Sequence, residues 1–272
     1  MPAAEIPFTK MSGAGNDFVL VDARSVPRGR RAPSLARALC RRRDSVGADG
    51  LLVVSPRGRK RLRVDYFNAD GSSAFCANGA RCAAWWFFSA GGPGRRFELD
   101  TPAGLLPAEI LGKERLRLGM PPARVGRRGL RLRAGGRSFV ADEADTGAPH
   151  IVVRVPGRRL DGFPVREAGG ALRRHRAFGK RGTNVNFASV DGSRLCFRTF
   201  ERGVEDETLA CGTGAVAVAL LLGRIGRRGA TRLVAQSGAP LCVRFARAKD
   251  GGAAGITLEG PARAVCRGTA II

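Results

Sequence analysis

Two similar phrases, each opening on a cysteine, stand half a chain apart. The first, from Cys76, reads C-A-N-G-A-R-C-A-A-W-W, and the second, from Cys211, reads C-G-T-G-A-V-A-V-A-L-L. The offset is 135 (211 less 76) in a chain of 272 residues. In both, a small residue follows the cysteine, then Asn78 or Thr213, then Gly-Ala, then an apolar run with helical character. Such a repeat constrains the chain to fold as two similar units, each presenting a thiol at the start of a helix. The two thiols are then expected to face one another across a pseudo-two-fold cleft. A weaker echo relates Asn16-Asp17-Phe18 to Val185-Asn186-Phe187, but its offset differs and it carries little weight.

The chain is long enough for two ordinary domains, each with a real core. No stretch of 18 or more uncharged apolar residues suggests a membrane span. The N-terminus lacks a basic segment followed by an apolar one, so a cytoplasmic location is expected. Seven cysteines without a secretion signal, and with no C-x-x-C, argue against a disulfide framework and against a zinc site. Cys40, Cys196, Cys242 and Cys266 stand in apolar or strand-like contexts and are expected to be small core residues. The net charge of +24 is mostly arginine, since lysine occurs only at positions 10, 60, 113, 180 and 249. Its scatter through turns fits a solvated basic surface better than a nucleic-acid groove.

Periodicity predicts strands at 8–11, after the G-A-G-N-D-F loop at 13–18, and at 50–55 and 62–67. The glycines of that loop precede a strand and do not open a helix, which excludes a dinucleotide fingerprint. A helix is expected from Ser34 to Arg42, with Ser34 as its N-cap. Another runs from Ala77 to Ala90. Short strands follow at 97–99, 105–110 and 116–118, and Met120-Pro121-Pro122 marks a hinge. Further strands are expected at 130–132, 139–141 and 151–155, with a helix near 165–171. A hairpin around Asp191-Gly192 joins 184–190 to 195–201. After the second cysteine helix come strands at 231–236, 241–246 and 256–259. The ending, Ala264 to Ile272, reads as a strand returning to the first half.

The run from Ala215 to Leu222, A-V-A-V-A-L-L-L, is apolar on every side, and such a helix is buried on every side. The expected fold is therefore α/β, with two pseudo-symmetric domains. Each is a curled, mostly antiparallel sheet or barrel around a central helix, with the active site in the cleft between them. The domains expected are residues 1–120, joined by strand 262–272, and residues 121–261.

At the first turn of a helix the N–H groups lack intrahelical partners and the dipole is positive. A thiol there is biased towards thiolate, and the same N–H groups can hold a carboxylate. Two such starts supply a base on each face of a substrate carbon and a carboxylate clamp between them. Against this, Glu205-Asp206-Glu207 just precedes Cys211 and would disfavour its thiolate.

The same residues carry a resemblance. G-A-G-N-D-F-V-L-V-D, F-N-A-D-G-S-x-A-x-C-x-N-G-A-R-C, T-G-A-P-H, G-T-N-V-N-F and E-R-G-V-E-D-E-T-L-A-C-G-T-G-A together resemble the diaminopimelate epimerase family, in order from residue 13 to residue 215. The resemblance implies an isomerase interconverting LL- and meso-diaminopimelate, in lysine and peptidoglycan biosynthesis, without pyridoxal phosphate, other cofactor or metal. It makes Cys76 and Cys211 the acid/base pair, assisted by His150 and Glu201. Asn16, Asn68, Asn184, Glu201 and Arg202 match substrate contacts, and Ala77, Asn78, Gly212 and Thr213 match the carboxylate-binding turns. The expected partner is a small amino-acid substrate, with no nucleic acid and no membrane, and the expected assembly is a homodimer. Two positions depart from the pattern: Ala77 stands where the family usually has Gly, and Ala148 where many members have a substrate-binding Asn. The rival readings are a relative that inverts another amino acid, and a non-catalytic nucleic-acid-binding protein of the same ancestry.

Overall fold

A computed structural model describes residues 4–92, 94–191, 194–223, 229–248 and 252–272. The chain divides into two compact units, Met1–Leu118 with Gly260–Ile272, and Gly119–Glu259.

The first unit opens with β1 (Glu5–Gly13) and β2 (Asn16–Asp22), joined by a tight turn in which Ala14 (φ 58) and Gly15 (φ 104) are left-handed. Then come α1 (Ala32–Leu39), β3 (Gly50–Pro56), β4 (Arg61–Asn68), the two-residue β5 (Ser73–Ala74) and α2 (Ala77–Ser89). A meander of β6 (Arg96–Thr101), β7 (Gly104–Gly112) and β8 (Arg115–Gly119) follows. The last strand of the chain, Arg263–Ile271, pairs antiparallel with β1. From that strand the ladder runs β1, β2, β3, β4, β6, β7, β8, with parallel pairing at β2–β3 and β4–β6 and antiparallel pairing elsewhere.

The second unit repeats this plan. Its elements are β9 (Arg124–Val125), β10 (Leu130–Ala134), β11 (Arg137–Asp145), β12 (Pro149–Arg154), α3 (Val165–Arg173), β13 (Asn184–Asp191), β14 (Arg194–Glu201), β15 (Asp206–Thr208), α4 (Gly212–Leu222), β16 (Ala230–Val234), β17 (Pro240–Arg247) and β18 (Ala253–Pro261). The ladder runs β10, β11, β12, β13, β14, β16, β17, β18, with parallel pairing at β12–β13 and β14–β16. The final strand of the chain, β19, thus takes in the first unit the place that β10 takes in the second.

Two helices sandwich each sheet. In the first unit α2 touches β1, β2, β3, β4, β6, β7 and β19, so the sheet curls around it. On the other face, Leu35, Ala36 and Leu39 of α1 pack on Ile6, Val19, Val21 and Leu51. Full burial of each such leucine stabilises by about 1.5–3 kcal/mol. In the second unit α4 touches β11, β12, β13, β14, β16 and β17, while Val165, Ala168 and Leu172 of α3 pack on Ile151, Val153, Val185 and Phe187. The fold is mixed α/β and dominated by sheet. Among the described residues β19 does not pair with β8, nor β10 with β18, so the sheets are curled but not closed into barrels.

The register aligns the two units residue by residue. Phe18 faces Gly50 and Gly50 faces Asn68 in the first; His150 faces Asn184 in the second, and Val185 faces Phe200, which sets Asn184 against Glu201. Asn16 therefore corresponds to Ala148, and Leu52 to Asn186. The weaker echo of Asn16-Asp17-Phe18 with Val185-Asn186-Phe187 has no counterpart in the fold, because the two segments lie on non-equivalent strands, β2 and β13.

Two local expectations are corrected, and a third falls outside the described residues. Ser34 is not an N-cap: α1 starts at Ala32 with Arg31 as cap, because Pro33 is well suited to the first turn, and the Ser34 hydroxyl donates to the Arg31 carbonyl. Cys266 is exposed, since β19 is exposed at all but one of its residues, while Cys196 on β14 is half-buried against the core of its unit. Gly192, expected in the hairpin turn, lies outside the described residues.

Candidate active site

Each cysteine caps its helix. Cys76 is extended (φ −126, ψ 109) and its sulfur accepts from the Gly79 N–H at 3.4 Å; Cys211 (φ −124, ψ 114) accepts from the Gly214 N–H at 3.3 Å. The task usually falls to Ser, Thr, Asp or Asn. Here it sets each sulfur in the positive field of a helix N-terminus, where thiolate is favoured. Neither glycine has room for a methyl. A Cβ on Gly79 would lie 2.9 Å from the Leu52 side chain, and one on Gly214 only 2.4 Å from Asn186 Oδ1.

Around Cys76 the polar residues form a chain. Arg81 Nη2 donates to Asn78 Oδ1 at 2.7 Å, Asn78 Nδ2 donates to Asn16 Oδ1 at 2.6 Å, and Asn16 Nδ2 donates to Asp49 Oδ2 at 3.1 Å. Asn16, Ala77 and Asn78 are buried beside the half-buried Cys76. Ala77 is the first residue of α2, so its backbone N–H stands at the helix start beside Cys76. Asn68 ends β4 and closes the turn to Ser72: its amide donates to Ser72 Oγ at 2.9 Å and accepts from the Tyr66 hydroxyl at 2.8 Å.

Around Cys211 the network is different. Its sulfur lies 3.4 Å from Thr213 Oγ1, which lies 3.0 Å from His150 Nε2. His150 Nδ1 is 3.1 Å from Asn186 Nδ2, which also donates to the Ile151 carbonyl at 2.9 Å, while Asn186 Oδ1 accepts from Thr199 at 2.9 Å. The carbonyl and the hydroxyl fix the Asn186 amide, so Nδ1 accepts and Nε2 carries the proton. Burial, then the Arg202 charge, pulls the His150 pKa down to about 3, and the ring is neutral at pH 7. His150, Thr213 and Cys211 thus form one hydrogen-bonded chain, with Gly212 opening the helix beside it.

Asn184 clamps two backbones, donating to the Pro149 carbonyl at 2.9 Å and accepting from the Arg202 N–H at 2.9 Å. Glu201 accepts from the Thr208 hydroxyl. The Arg202 guanidinium is half-buried, and no carboxylate pairs with it among the described residues. Burial and the neighbouring charges of Arg181 and Arg173 lower its pKa. The acidic run before Cys211 is neutralised locally: Glu205 pairs with Arg173 and Arg174, Asp206 with Arg166, and Glu207 with Arg198.

The structure thus gathers Cys76, Ala77, Asn78 and Asn16 in one unit, and Cys211, Gly212, Thr213 and His150 in the other. Sequence reasoning missed Asp49, Arg81 and Asn186. Arg81 carried a signal, a lone cation inside an apolar helix. Asn186 carried one too, a second amide two residues after Asn184.

The diaminopimelate epimerase family profile matches residues 8–125 and 143–262. A diaminopimelate epimerase of Chlorobaculum tepidum is 42% identical over 265 residues, covering 95% of this chain and 99% of the relative. Among solved structures, a PhzF-family phenazine biosynthesis protein of Bacillus anthracis superposes with a TM-score of 0.76 at 14% identity, covering 98% of this chain and 99% of its own. A hydroxyproline epimerase of Agrobacterium vitis, with bound trans-4-hydroxy-L-proline, gives 0.73 at 16% identity, covering 99% and 93%. These two share the fold, while the profile match and the Chlorobaculum relative establish kinship: the chain belongs to the diaminopimelate epimerase family.

Proposed function

We propose that this protein interconverts LL- and meso-diaminopimelate by two-thiol proton transfer, without pyridoxal phosphate or metal. The thiolate of one cysteine takes the α-proton from one face of the substrate. The electron pair left behind is delocalised onto the α-carboxylate, held by backbone N–H groups at Ala77 and Asn78 and at Gly212 and Thr213. The thiol of the other cysteine delivers its proton to the opposite face, so the carbon inverts and the two sulfurs exchange protonation states. This reading requires the sulfurs of Cys76 and Cys211 to flank one substrate carbon. The His150–Thr213 relay steadies Cys211, and Arg202 and Glu201 meet the polar distal end, with Asn68 and Asn184 shaping the turns around it.

The observation that carries the reading is the repetition itself. In both units a cysteine accepts from the amide three residues on and leads the same Gly-Ala into a buried helix. On the same reading the enzyme is cytoplasmic and a homodimer. Among the described residues no helix is long and apolar enough to cross a membrane. The exposed β19, with Val265 and Ile271 outward, supports association of two copies.

Incubation with LL-diaminopimelate in deuterium oxide tests the proposal. Deuterium is expected at the inverted α-carbon, with the meso isomer accumulating. No exchange on diaminopimelate, with exchange on a different amino acid, would assign the protein to another substrate.

A further inference from the structure

Arg81 is fully buried in α2, and neither Nε nor Nη1 has a hydrogen-bond partner among the described residues. Burying a guanidinium so sparsely paired is costly, because its lost hydration is not replaced. The fold does not require it. The corresponding place in α4, fifth residue of the helix after its capping cysteine, holds the buried apolar Val216. Burial pulls the Arg81 pKa down, but only to about 10, so the group is still a cation at pH 7.

Its one described hydrogen bond sets a direction. A guanidinium only donates and a carboxylate only accepts. With Arg81 at one end and Asp49 at the other, the two amides between them have one orientation that satisfies every bond: Asn78 Oδ1 towards Arg81, Asn78 Nδ2 towards Asn16, and Asn16 Nδ2 towards Asp49. Asp49 is itself held from the far side by Arg42. An amide without such ends is free to turn over.

We propose that Arg81 is a positioning residue of the Cys76 half-site, holding the Asn78 and Asn16 amides in the one orientation in which they meet the substrate. The inference rests on the function proposed above. The second unit has no equivalent chain, since Val216, Thr213 and Ala148 stand where the first has Arg81, Asn78 and Asn16. The amide order of the first unit is therefore held from two ends, Arg81 at Asn78 and Asp49 at Asn16, and the end nearest Cys76 is a cation that the second unit does without.

Steady-state epimerisation of LL-diaminopimelate by the full-length protein tests this. Arg81→Met, which keeps the bulk but not the donor, is expected to raise KM about tenfold and to leave kcat within about threefold, the size of effect that follows from one charge-assisted hydrogen bond. Arg81→Lys, which keeps a charged donor, is expected to hold KM within about threefold of the wild type. An unchanged KM in Arg81→Met, a fall in kcat alone, or a lysine variant as impaired as the methionine one would overturn the role. Should Arg81→Met not fold, the lysine variant decides by the same limit, with a tenfold KM rise counting against the proposal. Absence of turnover in the wild-type protein refutes the function itself, whereas wild-type turnover with an indifferent Arg81→Met refutes only Arg81.

Discussion

Asn186 points its Nδ2 at His150 Nδ1 across 3.1 Å, and that bond decides which nitrogen of a buried imidazole carries the proton. With Nδ1 accepting, Nε2 donates towards Thr213, whose Oγ1 lies 3.4 Å from the sulfur of Cys211. Thr213→Val interrupts this relay without emptying the space. It is expected to lower kcat by about a hundredfold, within the range for a lost acid/base contact. Cys211 alkylation by iodoacetamide, followed by peptide mass spectrometry, should change while that of Cys76 does not.

The same histidine predicts a stability profile. Its folded pKa, about 3, lies below the ordinary 6.5, so between these values the unfolded chain binds a proton that the folded one refuses. Stability therefore falls as pH drops through that window, by at most about 1.4 kcal/mol per pH unit from this group. Urea unfolding at pH 7 and pH 4.5 should show a smaller loss in His150→Asn than in the wild type. An equal loss in both would place the acid sensitivity elsewhere.

Cys76→Ala and Cys211→Ala are each expected to abolish epimerisation while leaving the circular dichroism spectrum and the melting transition near wild type. The substitutions remove a sulfur that caps a helix, worth about 1 kcal/mol at most in each case. Full turnover in either variant would remove that cysteine from the mechanism.

Two glycines in equivalent places should respond unequally to the same methyl. In Gly79→Ala the new carbon meets the end of a leucine, Leu52 Cδ2 at 2.9 Å, which can yield. In Gly214→Ala it meets Asn186 Oδ1 at 2.4 Å, with the Cys211 sulfur at 3.2 Å. Overpacking costs of about 1–3 kcal/mol are expected, with Gly214→Ala at the upper end and Gly79→Ala at the lower. Denaturant midpoints measure both, and Gly214→Ala should also lose activity because it displaces the amide that orders His150.

Arg202 tests the substrate. A half-buried guanidinium without a carboxylate partner among the described residues is suited to an anionic distal group. Arg202→Met is expected to raise KM for diaminopimelate at least tenfold, on the order of one lost charge-assisted bond. Equal kinetics in the variant would leave the distal group unexplained and favour a substrate without one.

Much of this was legible because the repeat is written in residue types with narrow uses. A thiol before a small residue and Gly-Ala announced both helix starts, and A-V-A-V-A-L-L-L announced a helix buried all round. Strand edges were less clear. β1 begins at Glu5, earlier than its apolar pattern begins, because pairing with β19 extends it past Pro7. Cys266 misled because its strand is apolar in sequence yet exposed, a tertiary outcome that no local pattern contains. The Glu205-Asp206-Glu207 run looked hostile to a thiolate only while its arginine partners, distant in sequence, were out of view. Asp49 and Asn186 were missed for a similar reason: their roles exist only through register, which brings Asn186 beside the His150 strand and Asp49 beside Asn16.

The antiparallel pairing of β19 with β1 joins Ile6 to Ala270, residues from opposite ends of the chain. During synthesis the strands of the second unit emerge as one run, whereas the sheet of the first unit is whole only after all of the second unit has been made. Removal of Arg263–Ile271 would strike the unit whose other strands were made first.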